Sequence, residues 1–145
     1  MRVSLFDIAQ RFVGVKEIPG KVDNPQILAM LRLDQAWPAG DEVPWCSAFL
    51  NYCAWLLRLP RSKSLAARSW LSVGVPVPLT AAVPGFDVAV LWRGNKDAQE
   101  GHVGLFAALP RDGSVELLGG NQGDSVSIAP FDLNRVLGVR RLRSE

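Results

Sequence analysis

Two cysteines and one histidine are the side chains here whose chemistry reaches beyond packing. Both cysteines fall in one stretch, DEVPWCSAFLNYC (Asp41 to Cys53), and the histidine stands in EGHVGLF (Glu100 to Phe106). A thiol beside an imidazole is a nucleophile with its own proton carrier, suited to attack on an amide carbonyl. The two cysteines are not equivalent. Cys46 falls in the first turn of a helix expected from about Trp45 to Arg58. A helix N-terminus carries a partial positive charge and free N–H groups, which favour a thiolate. Cys53 falls mid-helix, on the apolar face expected from Cys46, Phe49, Leu50, Cys53, Leu56 and Leu57, and reads as a small buried hydrophobe. Ser47, Asn51 and Arg58 are expected on the opposite, solvent-facing side.

His102 follows a glycine and opens an expected strand. Taken alone it is equally a core or edge histidine with one hydrogen bond, and Cys46 taken alone is as well read as packing. A Cys–His mechanism also needs a group that orients the imidazole. LLGGNQGD (Leu117 to Asp124) supplies Asn121 in a glycine-rich turn. HVGLFAAL and SVELLGGN form an expected hairpin around PRDGS, whose antiparallel pairing brings Asn121 near His102. Asn121 reads otherwise as a turn residue with positive φ, and Asp124 is the substitute.

Other uses of these residues are disfavoured. The cysteines sit seven positions apart on one expected helix, a rise of about 10 Å, too far for a disulfide. Two cysteines and one histidine show no metal-ligand spacing, so no metal or cofactor is expected.

The elements that must position the pair follow from pattern. Ser4 caps a helix from Leu5 to about Val13, stopped by Gly14. Asn24 and Pro25 are a cap and first-turn proline opening a helix to about Leu33. Asp34 to Pro44 is a long loop. Ser64 caps a short helix through LAARSWL, ended by Gly74. Beyond it come short runs rich in β-branched residues: VPVPL, DVAVLW, HVGLFAAL, SVELLG, SVSIAPF and VLGVRRL. Helices first and strands second predict an α+β domain with a mainly antiparallel sheet of five to six strands.

The chain has 145 residues, enough for one domain spanning 1–145 with one core. At 48% hydrophobic and 21% charged it is globular rather than disordered. A net charge of +2 is too weak to argue nucleic-acid binding. The N-terminus lacks the long apolar run and cleavage site of a signal peptide, and no run is long enough to span a membrane. The four arginines of RVLGVRRLRSE are expected to face solvent from the last strand.

The ordered set GVKEIPG, NP, PWCSAF, GHVG and GGNQGD, spread over nearly the whole chain, resembles the papain-like cell-wall hydrolases, the CHAP and NlpC-type peptidases. Within them it is closest to a small single-domain subgroup of phages and bacteria. The resemblance implies a papain-like fold with the nucleophile helix packed on the sheet. It implies hydrolysis of an amide bond in peptidoglycan, as amidase or endopeptidase, in phage lysis, wall remodelling or killing of rival bacteria. Cys46 would attack, His102 would carry the proton and Asn121 would orient it. The Cys46 N–H would be one oxyanion donor. Trp45, Asp41, Glu17 and Gln122 are the candidates for substrate contact. Trp45 reads otherwise as core, and Glu17 as a structural residue. The protein would act as a monomer, in the periplasm or on the wall after holin-type release or secretion-system delivery. Its partners would be peptidoglycan and an immunity or delivery protein. A protease or deamidase acting on protein, or a silent wall-binding module, would use the same fold. One departure from the family is Phe86, standing between Gly85 and Asp87 where a PGD turn is common. It puts the register of DVAVLW in question.

Overall fold

The computed structural model describes residues 2–18, 24–34 and 44–143. Most of the expected long loop, including Asp41, lies outside the described residues.

Helix α1 (Leu5–Gln10) opens with a reciprocal cap. The Ser4 hydroxyl accepts the Asp7 N–H at 3.0 Å, and the Asp7 carboxylate accepts the Ser4 N–H at 2.8 Å. The helix is shorter than the expected run to Val13. A turn ending at Gly14 (φ +102°) carries the chain onto strand residue Val126 instead. In α2 (Pro25–Arg32) the Asn24 side chain accepts the Gln26 N–H at 2.8 Å, and Pro25 fills the first turn, where no N–H is needed.

Helix α3 (Cys46–Leu56) is buried on more than its apolar face, which corrects the sequence expectation. Ser47 and Asn51 are buried, whereas Leu56 is exposed. The segment after α3 covers the polar side and satisfies it. The Asn51 amide donates to Ser47 O, Ser62 Oγ and Ser64 O, and its Oδ1 accepts the Lys63 N–H at 2.9 Å. Ser47 Oγ accepts the indole N–H of buried Trp70 at 2.9 Å. Buried polar groups this fully paired fix the helix at one rotation. Trp70 belongs to a 3₁₀ helix, Ala67–Ser72, which is the short helix expected through LAARSWL.

The strands are β1 (Val75–Val77), β2 (Asp87–Trp92), β3 (Gly101–Ala108), β4 (Ser114–Gln122), β5 (Ser125–Asp132) and β6 (Val136–Arg141). They form one six-stranded sheet in the order β1-β6-β2-β3-β4-β5, antiparallel throughout. The architecture is α+β.

The sheet is apolar on both faces, which explains the unbroken run VAVL in β2. Val88, Val90, Val103, Leu105 and Leu118 pack with α3, while Ala89, Leu91, Phe106, Leu117 and Val139 form a second cluster on the other face. Phe86 does not disturb this register. It is buried, and Asp87 begins β2 with its carboxylate fully buried. Arg141 donates to that carboxylate through Nε at 2.7 Å and Nη2 at 2.8 Å.

Of the C-terminal arginines expected to face solvent, Arg143 is exposed, while Arg135, Arg140 and Arg141 are half-buried and hydrogen-bonded. Arg140 donates to Val73 O and Gly74 O, Arg135 to Trp92 O, and Arg143 lies over the Phe86 ring. A further arginine, Arg68, donates to three carbonyls of the β2–β3 loop: Glu100 at 2.9 Å, Lys96 at 3.0 Å and Asn95 at 3.2 Å. That loop leads directly into His102.

Candidate active site

The site forms where β3 and β4 part. Their ladder runs through Leu105↔Leu118, and β3 has no partner on β4 from Gly101 to Gly104. Two close approaches shape the opening. A Cβ at Gly120 would lie 2.7 Å from Trp45 and Phe49, so glycine lets β4 settle onto α3. A Cβ at Gly119 would lie 2.5 Å from the Gln122 side-chain oxygen.

Cys46 lies on the helix side of the sheet, in one cluster with Phe49, Val103 and Leu118. Trp45 precedes it without a side-chain cap, so the first-turn N–H groups stay available. The N–H groups of Val103, the residue after His102, and of Ser47 point at the sulfur. The thiol is 5% exposed, and its pKa is raised. Burial is the dominant cause, outweighing those N–H groups and the charge of Arg93. The depressed thiolate expected at a helix start is therefore corrected: a partial charge cannot offset the loss of solvent around a buried ion. Cys53 is fully buried, its thiol also pushed up by burial.

His102 reaches the opening from the other face. It pairs with Leu91 of the second cluster, and its ring stacks on Phe131 with centroids 4.9 Å apart. The imidazole is 3% exposed, and burial pushes its pKa down to about 4. Its Nε2 lies 2.9 Å from Gln122 Oε1. The Gln122 amide nitrogen donates to Leu117 O at 3.1 Å and Ser127 O at 2.9 Å. Two carbonyl partners fix the amide orientation, so its oxygen faces the ring. Nε2 must then carry the proton, and Nδ1 holds the free lone pair. Among the described residues Nδ1 makes no hydrogen bond, and none joins it to the Cys46 sulfur.

Gln122 therefore occupies the place foreseen for Asn121, and it also lines the cleft beside the ring. Asn121 is half-buried at φ +58° and makes no hydrogen bond to His102. Asp124, exposed at φ +60°, makes no hydrogen bond to the ring either. Trp45 is 0% exposed and donates its indole N–H to Glu17 at 3.0 Å, so its ring offers no face to a ligand. Glu17 holds that ring, linking the loop after α1 to the start of α3. Asp41 lies outside the described residues. Among the described residues no group of three histidine, cysteine or acidic side chains is placed to hold a metal, and no helix is long and apolar enough to cross a membrane.

No family model and no curated protein matches the chain. Solved structures do. NlpC1 from Trichomonas vaginalis is similar over 97% of this chain and 44% of its own length, at TM-score 0.58 and 15% identity. NlpC2 from the same organism is similar over 97% of this chain and 46% of its own, at TM-score 0.59 and 15% identity. The chain thus spans less than half the length of these two neighbours. The likeness establishes the fold, an NlpC-type, papain-like α+β domain.

Proposed function

We propose that this chain is a cysteine-dependent amide hydrolase acting on peptidoglycan, as an amidase or endopeptidase. The observation that supports the reading is the place of the Cys46 thiol beside the main chain of the residue that follows His102. The first-turn thiol of α3 sits under the N–H of Val103, and the neighbouring His102 has its Nδ1 lone pair free because Gln122 holds Nε2. The NlpC-type fold and the ordered motifs supply the substrate class.

Both groups are neutral at rest, since the thiol is raised and the imidazole lowered. His102 then serves as a general base. Nδ1 takes the Sγ proton across the opening as sulfur bonds to the amide carbon and the carbonyl electron pair moves onto oxygen. First-turn N–H groups of α3 receive that oxyanion. His102 returns the proton to the leaving nitrogen, the C–N bond breaks and the amine departs, leaving a thioester. Water, deprotonated by His102, attacks the thioester. The carboxylic acid leaves, and Cys46 regains its proton. The N–H groups of Val103 and Ser47 lower the cost of the thiolate along this path.

We read the setting as the periplasm or cell wall, in phage lysis or interbacterial killing, with the chain acting as a monomer. The test is mass spectrometry of fragments released from purified peptidoglycan by wild type and by Cys46→Ala in parallel. New fragments from wild type alone are expected, and their masses name the bond. Equal release by both proteins, or by neither while folded, overturns the reading.

A further inference from the structure

A cleft of about 390 Å³ opens beside His102, lined by Arg93, His102, Asn121, Ala129, Pro130 and Phe131 among others, none of them acidic. Its wall on the β5 side is apolar. Its one charged lining residue is Arg93, which directly follows β2. The Arg93 N–H donates to Glu100 O at 3.3 Å, so the base of the side chain is fixed. Its guanidinium makes no hydrogen bond or ion pair among the described residues. Arg68, Arg135, Arg140 and Arg141 differ in this respect, since each is tied to carbonyls or to Asp87. The Arg93 charge is felt at both Cys46 and His102, and Arg135 adds a second positive charge at His102 from its place over the Phe131 ring. No carboxylate is among the groups acting on either residue.

An exposed guanidinium in a cleft with an apolar β5 wall and no acidic lining residue suits a planar anion, which it can grip with two parallel N–H bonds. We propose that Arg93 is a specificity residue that receives a substrate carboxylate beside the scissile amide. Where that amide lies rests on the hydrolase reading. The anion preference at Cys46 does not. Peptidoglycan stem peptides carry such carboxylates free or amidated, so the site sorts one form from the other.

The test has two arms. In the first, Cys46 of the intact protein is alkylated with iodoacetate and with iodoacetamide, and the modified peptide is quantified. In both reactions sulfur bonds to carbon and iodide leaves, so a change in thiol pKa cancels in the ratio of rates. At low salt the iodoacetate-to-iodoacetamide ratio is expected to fall about threefold in Arg93→Gln and about tenfold in Arg93→Glu, with both differences shrinking as salt is added. One ratio for all three proteins overturns the inference. In the second, wild type and Arg93→Gln digest peptidoglycan with free stem carboxylates and the same polymer after amidation. Wild type is expected to show a KM about tenfold lower on the free form, and Arg93→Gln no preference. Equal digestion of both forms by wild type overturns the carboxylate site and leaves the hydrolase standing. Digestion of neither overturns the hydrolase, and the alkylation ratio then decides for or against the anion preference.

Discussion

Gln122 decides which nitrogen of His102 is basic. Its oxygen lies 2.9 Å from Nε2 while its amide nitrogen is held by Leu117 O and Ser127 O. The ring is therefore the Nε2–H tautomer, with its lone pair on Nδ1. The chain has one histidine, so the ring nitrogens can be read without assignment ambiguity. Nitrogen-15 shifts are expected to show a protonated Nε2 and a bare Nδ1. Gln122→Ala should give a tautomer mixture and lower kcat about 10- to 100-fold with KM little changed. Asn121→Gly should leave the ring shifts as they are. A change in the second variant and none in the first would assign the orienting role to Asn121.

Burial of the imidazole makes folding pH-dependent. The pKa of His102 falls from 6.5 to about 4 on folding. The unfolded chain then binds the proton more tightly, so stability is intact above pH 6.5 and declines as pH falls toward 4. The full effect is about 3 kcal/mol. Urea unfolding of wild type and His102→Gln at pH 7, 5.5 and 4 measures it. The stability of wild type relative to the variant should drop across that interval. Parallel curves would contradict a buried neutral imidazole.

The thiol has a matching signature. With Cys46 raised by burial, alkylation by iodoacetamide should be slow near pH 6 and climb through the alkaline range, with no acidic plateau. A plateau between pH 5 and 7 would reveal a resting thiolate–imidazolium pair. Cys53, fully buried, should be modified only on unfolding.

Asn51 anchors the nucleophile helix from its far side. Its amide serves Ser47, Ser62 and Ser64, and its oxygen serves Lys63. Asn51→Ala strands several buried partners and should cost about 2–4 kcal/mol, read as a lower urea midpoint. A loss under 0.5 kcal/mol would mean that the network contributes little.

Much of this was legible in the residue order. Cys46 at a helix start, His102 at a strand start and the α+β order all follow from local pattern. The identity of the orienting residue did not. Continuing the pairing Leu105↔Leu118 sets Asn121 opposite His102, but the ladder stops there and β4 bulges between Gly119 and Gln122. Asn121 turns left-handed at φ +58°, which breaks the strand's alternation and swings Gln122 to the ring. Within the bulge β4 packs against α3 at Gly120, a contact no local pattern reports. Ser47 and Asn51 escaped for a related reason. Helical periodicity marks polar residues as exposed, and only the segment crossing behind α3 buries them. Their spacing of four, in a helix otherwise apolar around them, was the available signal.

Arg68 grips the loop before His102 by the main-chain oxygens of Asn95, Lys96 and Glu100. Every amino acid carries that oxygen, so the grip is indifferent to which side chains the loop displays. The approach to the imidazole is thereby a stretch whose lettering can be rewritten while its path is kept. It offers a place to graft new contacts to a substrate's far end without moving the histidine, so long as the arginine stays.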